Sequence, residues 1–164
     1  MNSEFRISKY ENGMDTESLI FILSITIQSS IAVLFATVGE VFTERSGVLN
    51  LGVEGMMLMG ALSGFAVTYF SHSLLLGILA SLAVGGMLAL IHGFFTISLR
   101  ANQVVCGLAL AILGIGLSSF LGRSIIGRVG QRFVPFSIPF LREIPILGPV
   151  LFSQTPLIFF SYLL

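Results

Sequence analysis

From Gly55 to Leu99, 45 consecutive residues contain no Asp, Glu, Lys or Arg. A water-soluble fold would need charge from such a stretch to cover its surface, so the run requires a lipid solvent. It is also too long for one crossing, because about 20 helical residues at 1.5 Å each span the hydrocarbon core. The sequence Phe70-Ser71-His72-Ser73 is the polar interruption, which predicts one span over about 49–70 and another over about 74–98.

Two more uncharged runs flank this pair. One lies between Glu17 and Glu40 and predicts a first span over about 18–39, without the basic start and small-residue cleavage site of a secretory signal. The other lies between Arg100 and Arg123 and predicts a fourth span over about 102–122. The whole chain agrees, with 55% hydrophobic and 10% charged residues and a mean hydropathy of +1.00. Its 18 glycines suit membrane helices. Zero formal net charge gives no electrostatic footprint for nucleic acid. The single cysteine, Cys106, sits in an apolar run and offers neither a disulfide nor a metal cluster. No G-x-x-x-x-G-K-[ST] loop is present to cradle phosphates, so no ATP hydrolysis and no cofactor is expected of this chain.

Residues 123–149 have a different texture. They mix Arg123, Arg128, Arg132 and Arg142 with Pro135, Pro139, Pro145 and Pro149, a proline density incompatible with one regular helix. They read as a structured extramembrane loop with an amphipathic element. A fifth apolar run begins at Leu151 and reaches Leu164, 14 residues that are too few to cross. The expected fold is all-α: a polytopic transmembrane bundle over 18–164 with four full spans and the start of a fifth, cut short. A tail, residues 1–17, precedes it, and Met14 is an alternative start.

Small residues recur at every fourth position in the third span: Gly77, Ser81, Gly85, Ala89 and Gly93. They fall along one face and predict close approach of a neighbouring helix. Gly60 and Gly64 offer the same in the second span, and Gly114, Ser118 and Gly122 in the fourth. His92 lies on the third span, where an intramembrane histidine either lines a pathway or bonds a neighbouring carbonyl. His72 falls in the turn and reads as solvated.

The stretch Gly47-Val-Leu-Asn-Leu-Gly-Val-Glu-Gly55 opens the second span with three glycines, each weakening a helix by about 1 kcal/mol relative to alanine. Interrupted backbone at membrane depth is tolerated where it lines a cavity or is buried in protein. Two readings are open. In one, Asn50 is the N-cap and Glu54 an interfacial carboxylate near the positive helix end, within reach of Arg45. In the other, the break faces a translocation route, with Asn50, Glu54 and His92 as pathway or gating residues.

The segments "ERSGVLNLGVEGMMLMGA", "RANQVVCGLALAILGIGLSSFLGR" and "IPFLREIPILGPVLF" resemble the inner-membrane permease subunits of bacterial ABC importers. The resemblance is to the simple-sugar and nucleoside group that works with a basic-membrane-protein-type lipoprotein, and more distantly to ribose and branched-chain amino-acid permeases. It covers about residues 17–164 and implies the N-terminal half of a permease. It further implies a multi-pass protein of the bacterial inner membrane that carries a nucleoside or simple sugar. The implied partners are a second permease subunit, a cytoplasmic ATP-binding subunit, an extracytoplasmic substrate-binding lipoprotein and the lipid bilayer. A secondary transporter of a small polar solute is the alternative that an interrupted second span also suits. The arginine count favours a cytoplasmic N-terminus. The family's ATPase-docking loop after span five favours an external one, and the external N-terminus, with an external 123–149 loop, is the expectation adopted.

Overall fold

The computed structural model describes residues 16–131, 136–137, 150–151 and 153–162. Helix α1 covers Thr16–Arg45, longer than the expected first span at both ends. Nothing in its 30 residues breaks it before the glycine that follows, and Glu17 in the first turn suits the positive helix end. Residues 1–15 of the expected tail lie outside the described residues. No residue of α1 is buried.

The end of α1 is built on Gly47, whose φ of 83° places it in the left-handed region. Gly47 N–H donates to the Glu44 carbonyl at 2.9 Å and Val48 N–H to the Thr43 carbonyl at 3.0 Å. These are the paired closing bonds of a Schellman motif, which glycine adopts without a Cβ penalty. Helix α2 then runs over Val53–Ser71. His72, at φ 52°, turns the chain, and the Ser73 hydroxyl accepts from Leu76 N–H at 3.4 Å to start α3, Leu74–Gly93. The interruption read at 70–73 thus lies where the backbone reverses.

Helix α3 does not close as a regular helix. Phe94–Ser98 widen into a π turn, with Leu99 N–H donating to the Phe94 carbonyl at 3.1 Å. The Thr96 hydroxyl donates to the His92 carbonyl at 2.8 Å within this widened turn. Arg100, at φ 50°, then reverses the chain. Asn102 caps α4, Gln103–Gly122, accepting from Val104 and Val105 N–H at 3.0 and 3.2 Å. By length and hydropathy α1, α2, α3 with its π turn, and α4 can each cross a membrane.

The chain divides into two compact units. In residues 35–133, α2 packs mainly on α3 and then on α4. Its buried positions are mostly glycine and alanine, because helices in lipid gain from backbone approach rather than from apolar burial. Between α2 and α3 the seam is Gly60, Gly64 and Thr68 against Gly77 and Ser81. A Cβ on Gly77 would collide with the Thr68 hydroxyl and lie 2.8 Å from the Gly64 carbonyl oxygen. The five-residue stripe is not used throughout. A Cβ on Gly85 would meet nothing within 4 Å, and Ala89 and Gly93 border a cleft.

The other unit consists of the described parts of Met1–Leu34 and Val134–Leu164. It contains the start of α1 and a two-residue antiparallel ladder, β1 Phe136–Ser137 with β2 Ser153–Gln154. It also contains α5, Pro156–Ser161, with proline in its first turn. At roughly 9 Å, its six helical residues are too few to cross. In the 123–149 loop, residues 123–127 form turns ending at Gly127, φ 77°; the expected amphipathic element falls largely outside the described residues.

Candidate functional site

Residues 46–52, between α1 and α2, have no repeating hydrogen-bond pattern of their own, so their backbone groups need partners from elsewhere. Three helices provide them. Gln103, the first residue of α4, accepts from Leu49 N–H at 2.8 Å through Oε1 and donates to the Gly47 carbonyl at 3.2 Å through Nε2. Glu40, in the last turns of α1, accepts from Asn50 N–H at 3.0 Å through Oε1. His92, near the end of α3, lies 3.3 Å from the Leu49 carbonyl through Nε2. A carbonyl can only accept, so Nε2 carries the proton.

Leu49 C=O and Asn50 N–H belong to one peptide unit. Glu40 and His92 therefore hold that plane at its two ends, and Gln103 holds the plane before it. Each bracing side chain is itself constrained. His92 is 5% exposed, and its own carbonyl takes the Thr96 hydroxyl. Glu40 Oε2 and His92 Nδ1 are buried with no hydrogen-bond partner among the described residues.

Glycines let α4 reach this segment. A Cβ on Gly107 would lie 2.8 Å from Leu51 N, and one on Gly55 would lie 2.6 Å from the Leu110 carbonyl oxygen. Beside the break is a cleft of about 750 Å³, within the range of small-molecule sites. Thr43, Ser46, Asn50, His92 and Ser98 give it polar groups; Gly86, Ala89, Gly93 and Leu90 give it a smooth apolar wall.

The expected site residues separate here. Asn50 and His92 meet at the break and both line the cleft. Asn50 is not the N-cap of α2: Gly52 occupies that place, and Asn50 Oδ1 accepts from Gly52 N–H at 3.1 Å. A carboxamide two residues ahead makes this local turn bond in preference to a cap on N2 or N3. Among the described residues, Asn50 Nδ2 reaches only the Met56 sulfur, at 3.7 Å. Glu54 is exposed on the first turn of α2 and makes no side-chain bond, to Arg45 or to any other described residue. His72 is exposed at its turn.

Sequence reading missed Glu40, Gln103 and Gly107. Glu40 marked the end of an uncharged run, but its role depends on an amide ten residues away. For Gly107 a signal existed: Gly107, Ala111 and Gly114 lie at i, i+4 and i+7, one helix face, and all three are buried.

A profile of the branched-chain amino acid transport system permease component matches residues 21–162. The chain belongs to this permease family. Curated relatives point the same way. A putative glucose ABC transporter permease of Haloferax volcanii is 41% identical over 138 residues, 82% of this chain and 42% of the relative. The guanosine ABC transporter permease of Bacillus subtilis is 35% identical over 151 residues, 83% of this chain and 47% of the relative. A nucleoside ABC transporter permease of Lactococcus lactis is 31% identical over 138 residues, 78% of this chain and 44% of the relative. The chain thus spans a little under half the length of these relatives. No solved structure matches it. With four helices able to cross, this permease chain is part of a multi-pass membrane protein.

Proposed function

We propose that this chain is part of the membrane subunit of an ATP-driven importer for a nucleoside or simple sugar. Its likeness to permeases named for glucose, guanosine and nucleosides carries the reading. A second permease subunit would complete the route, a separate cytoplasmic subunit would hydrolyse ATP, and an extracytoplasmic lipoprotein would deliver the solute. The chain's contribution is the break between α1 and α2. Its backbone is held by side chains instead of helix bonds, the condition under which irregular backbone is stable beside a membrane cavity. Asn50 and His92 face the route at the cleft; Gly60, Gly64, Gly77 and Ser81 keep the supporting helices in contact.

The test is uptake by cells carrying the full-length permease and its partners, compared with cells lacking the permease. Labelled guanosine and glucose are offered separately, with unlabelled branched-chain amino acids as competitor. Permease-dependent uptake of one of the two, indifferent to the competitor, is expected. Uptake of neither, with permease-dependent uptake of labelled leucine or valine in a parallel assay, would overturn the assignment of solute class.

A further inference from the structure

Resting on the importer reading, we propose that Glu40 and His92 are positioning residues for transport that hold the Leu49–Asn50 peptide, and that the spare oxygen of Glu40 gives the Asn50 amide an alternative partner whose use loosens the start of α2. The hold is geometric. Asn50 N–H bonds Glu40 Oε1 at 3.0 Å and the Leu49 carbonyl bonds His92 Nε2 at 3.3 Å, so one peptide plane is fixed from α1 and from α3. The capacity to exchange lies in the atoms left over. Among the described residues, Glu40 Oε2 is a buried acceptor without a donor, and so is His92 Nδ1, because its ring proton sits on Nε2. A buried acceptor without a partner favours any rearrangement that brings it one.

The donor at hand is the Asn50 amide. Among the described residues its Nδ2 is engaged only by the Met56 sulfur, at 3.7 Å, a weak acceptor. Asn50 also lines the cleft, and its Oδ1 holds Gly52 N–H at 3.1 Å, immediately before α2. If Asn50 turns Nδ2 towards Glu40, the bond to Gly52 is given up, and the start of α2 loosens with it. A solute group in the cleft that bonds Asn50 biases the same choice. Occupancy of the cleft is thereby linked to the start of α2.

The test uses the full-length permease assembled with its ATP-binding and solute-binding partners in vesicles, with Cys106→Ala and Val48→Cys as background. Two quantities are read: the rate of thiol labelling at position 48, and the Vmax and KM of uptake. Glu40→Ala and His92→Ala remove the hold and should speed labelling roughly tenfold, the loss of about one hydrogen bond. Glu40→Gln keeps an acceptor for Asn50 N–H but loses the spare acceptor, whereas His92→Gln keeps a donor for the Leu49 carbonyl and, through its amide oxygen, an acceptor as well. Both should label at the background rate, but Glu40→Gln should show Vmax lowered roughly tenfold with KM changed less than about twofold, and His92→Gln a Vmax near background. A purely structural role would instead leave Glu40→Gln with background Vmax, and that result overturns the exchange. Unchanged labelling in the alanine variants overturns the hold. If the alanine variants do not accumulate, Glu40→Gln decides alone by the same Vmax criterion. Labelling needs no knowledge of the solute, so absence of ATP-driven uptake in the background complex counts against the importer reading and leaves the hold to be judged by labelling.

Discussion

Leucine at Gly114 should abolish accumulation of the folded permease, and alanine there should already lower it severely. A Cβ at Gly114 would stand 2.5 Å from Gly55 Cα and 2.6 Å from its carbonyl oxygen. Both are backbone atoms in the first turn of α2, so no flexible side chain can move aside. The reciprocal position is equally closed, a Cβ on Gly55 lying 2.8 Å from Ala111 Cα. Overpacking a rigid contact costs roughly 1–3 kcal/mol or more, a large share of any protein's net stability. Gly116, two residues along the same helix, is the control, because a Cβ there meets nothing within 4 Å. Gly116→Ala should be neutral or stabilising, since alanine is favoured over glycine in a helix by about 1 kcal/mol. Detergent-extracted full-length protein, followed by size-exclusion profile and thermal unfolding, reads both outcomes. Normal accumulation of Gly114→Leu would show that α2 and α4 do not meet here.

Glu54→Leu should do the opposite: leave accumulation intact and lower uptake at least about tenfold. The carboxylate is exposed on the first turn of α2 and finds no partner in the described residues. A charge turned to lipid is unfavourable, by about 2.5–3.5 kcal/mol at the helix centre on insertion scales and less near an interface. Its retention at the break is explained if it meets a partner subunit or a water-lined route. Glu54→Gln, which keeps the shape and removes the charge, should also transport poorly. Uptake per molecule is measured in cells and compared with surface abundance. Full uptake by Glu54→Leu would leave this residue only its favourable place at the positive helix end.

The spans were legible because hydropathy is a local property. Runs without charge between Glu17 and Glu40, Gly55 and Leu99, and Arg100 and Arg123 correspond to helices long enough to cross. The reversal at His72 and Ser73 was legible for the same reason. The break was visible from Gly47 and Gly52, but not what stabilises it. The bond from Leu49 to Gln103 joins residues 54 apart, and His92 lies 43 residues from Leu49. Those pairings follow from how α3 and α4 pack on α2, which no local pattern encodes. The small-residue stripe shows the limit of periodicity. It identifies a face of α3, yet Gly77 and Ser81 meet α2 while Ala89 and Gly93 border the cleft. The π turn after Gly93 gave no sequence signal beyond Thr96, whose hydroxyl bonds the His92 carbonyl at 2.8 Å.

The importer reading stands or falls on what drives uptake. The decisive measurement is accumulation of labelled guanosine or glucose in vesicles that hold the complete complex. The ATP-binding subunit's nucleotide side and the proton gradient are controlled independently. Uptake is expected to require hydrolysable ATP, to continue when the proton gradient is collapsed, and to disappear with a non-hydrolysable ATP analogue. Uptake driven by a proton gradient alone, in the absence of ATP, would contradict it and make the chain part of a secondary transporter.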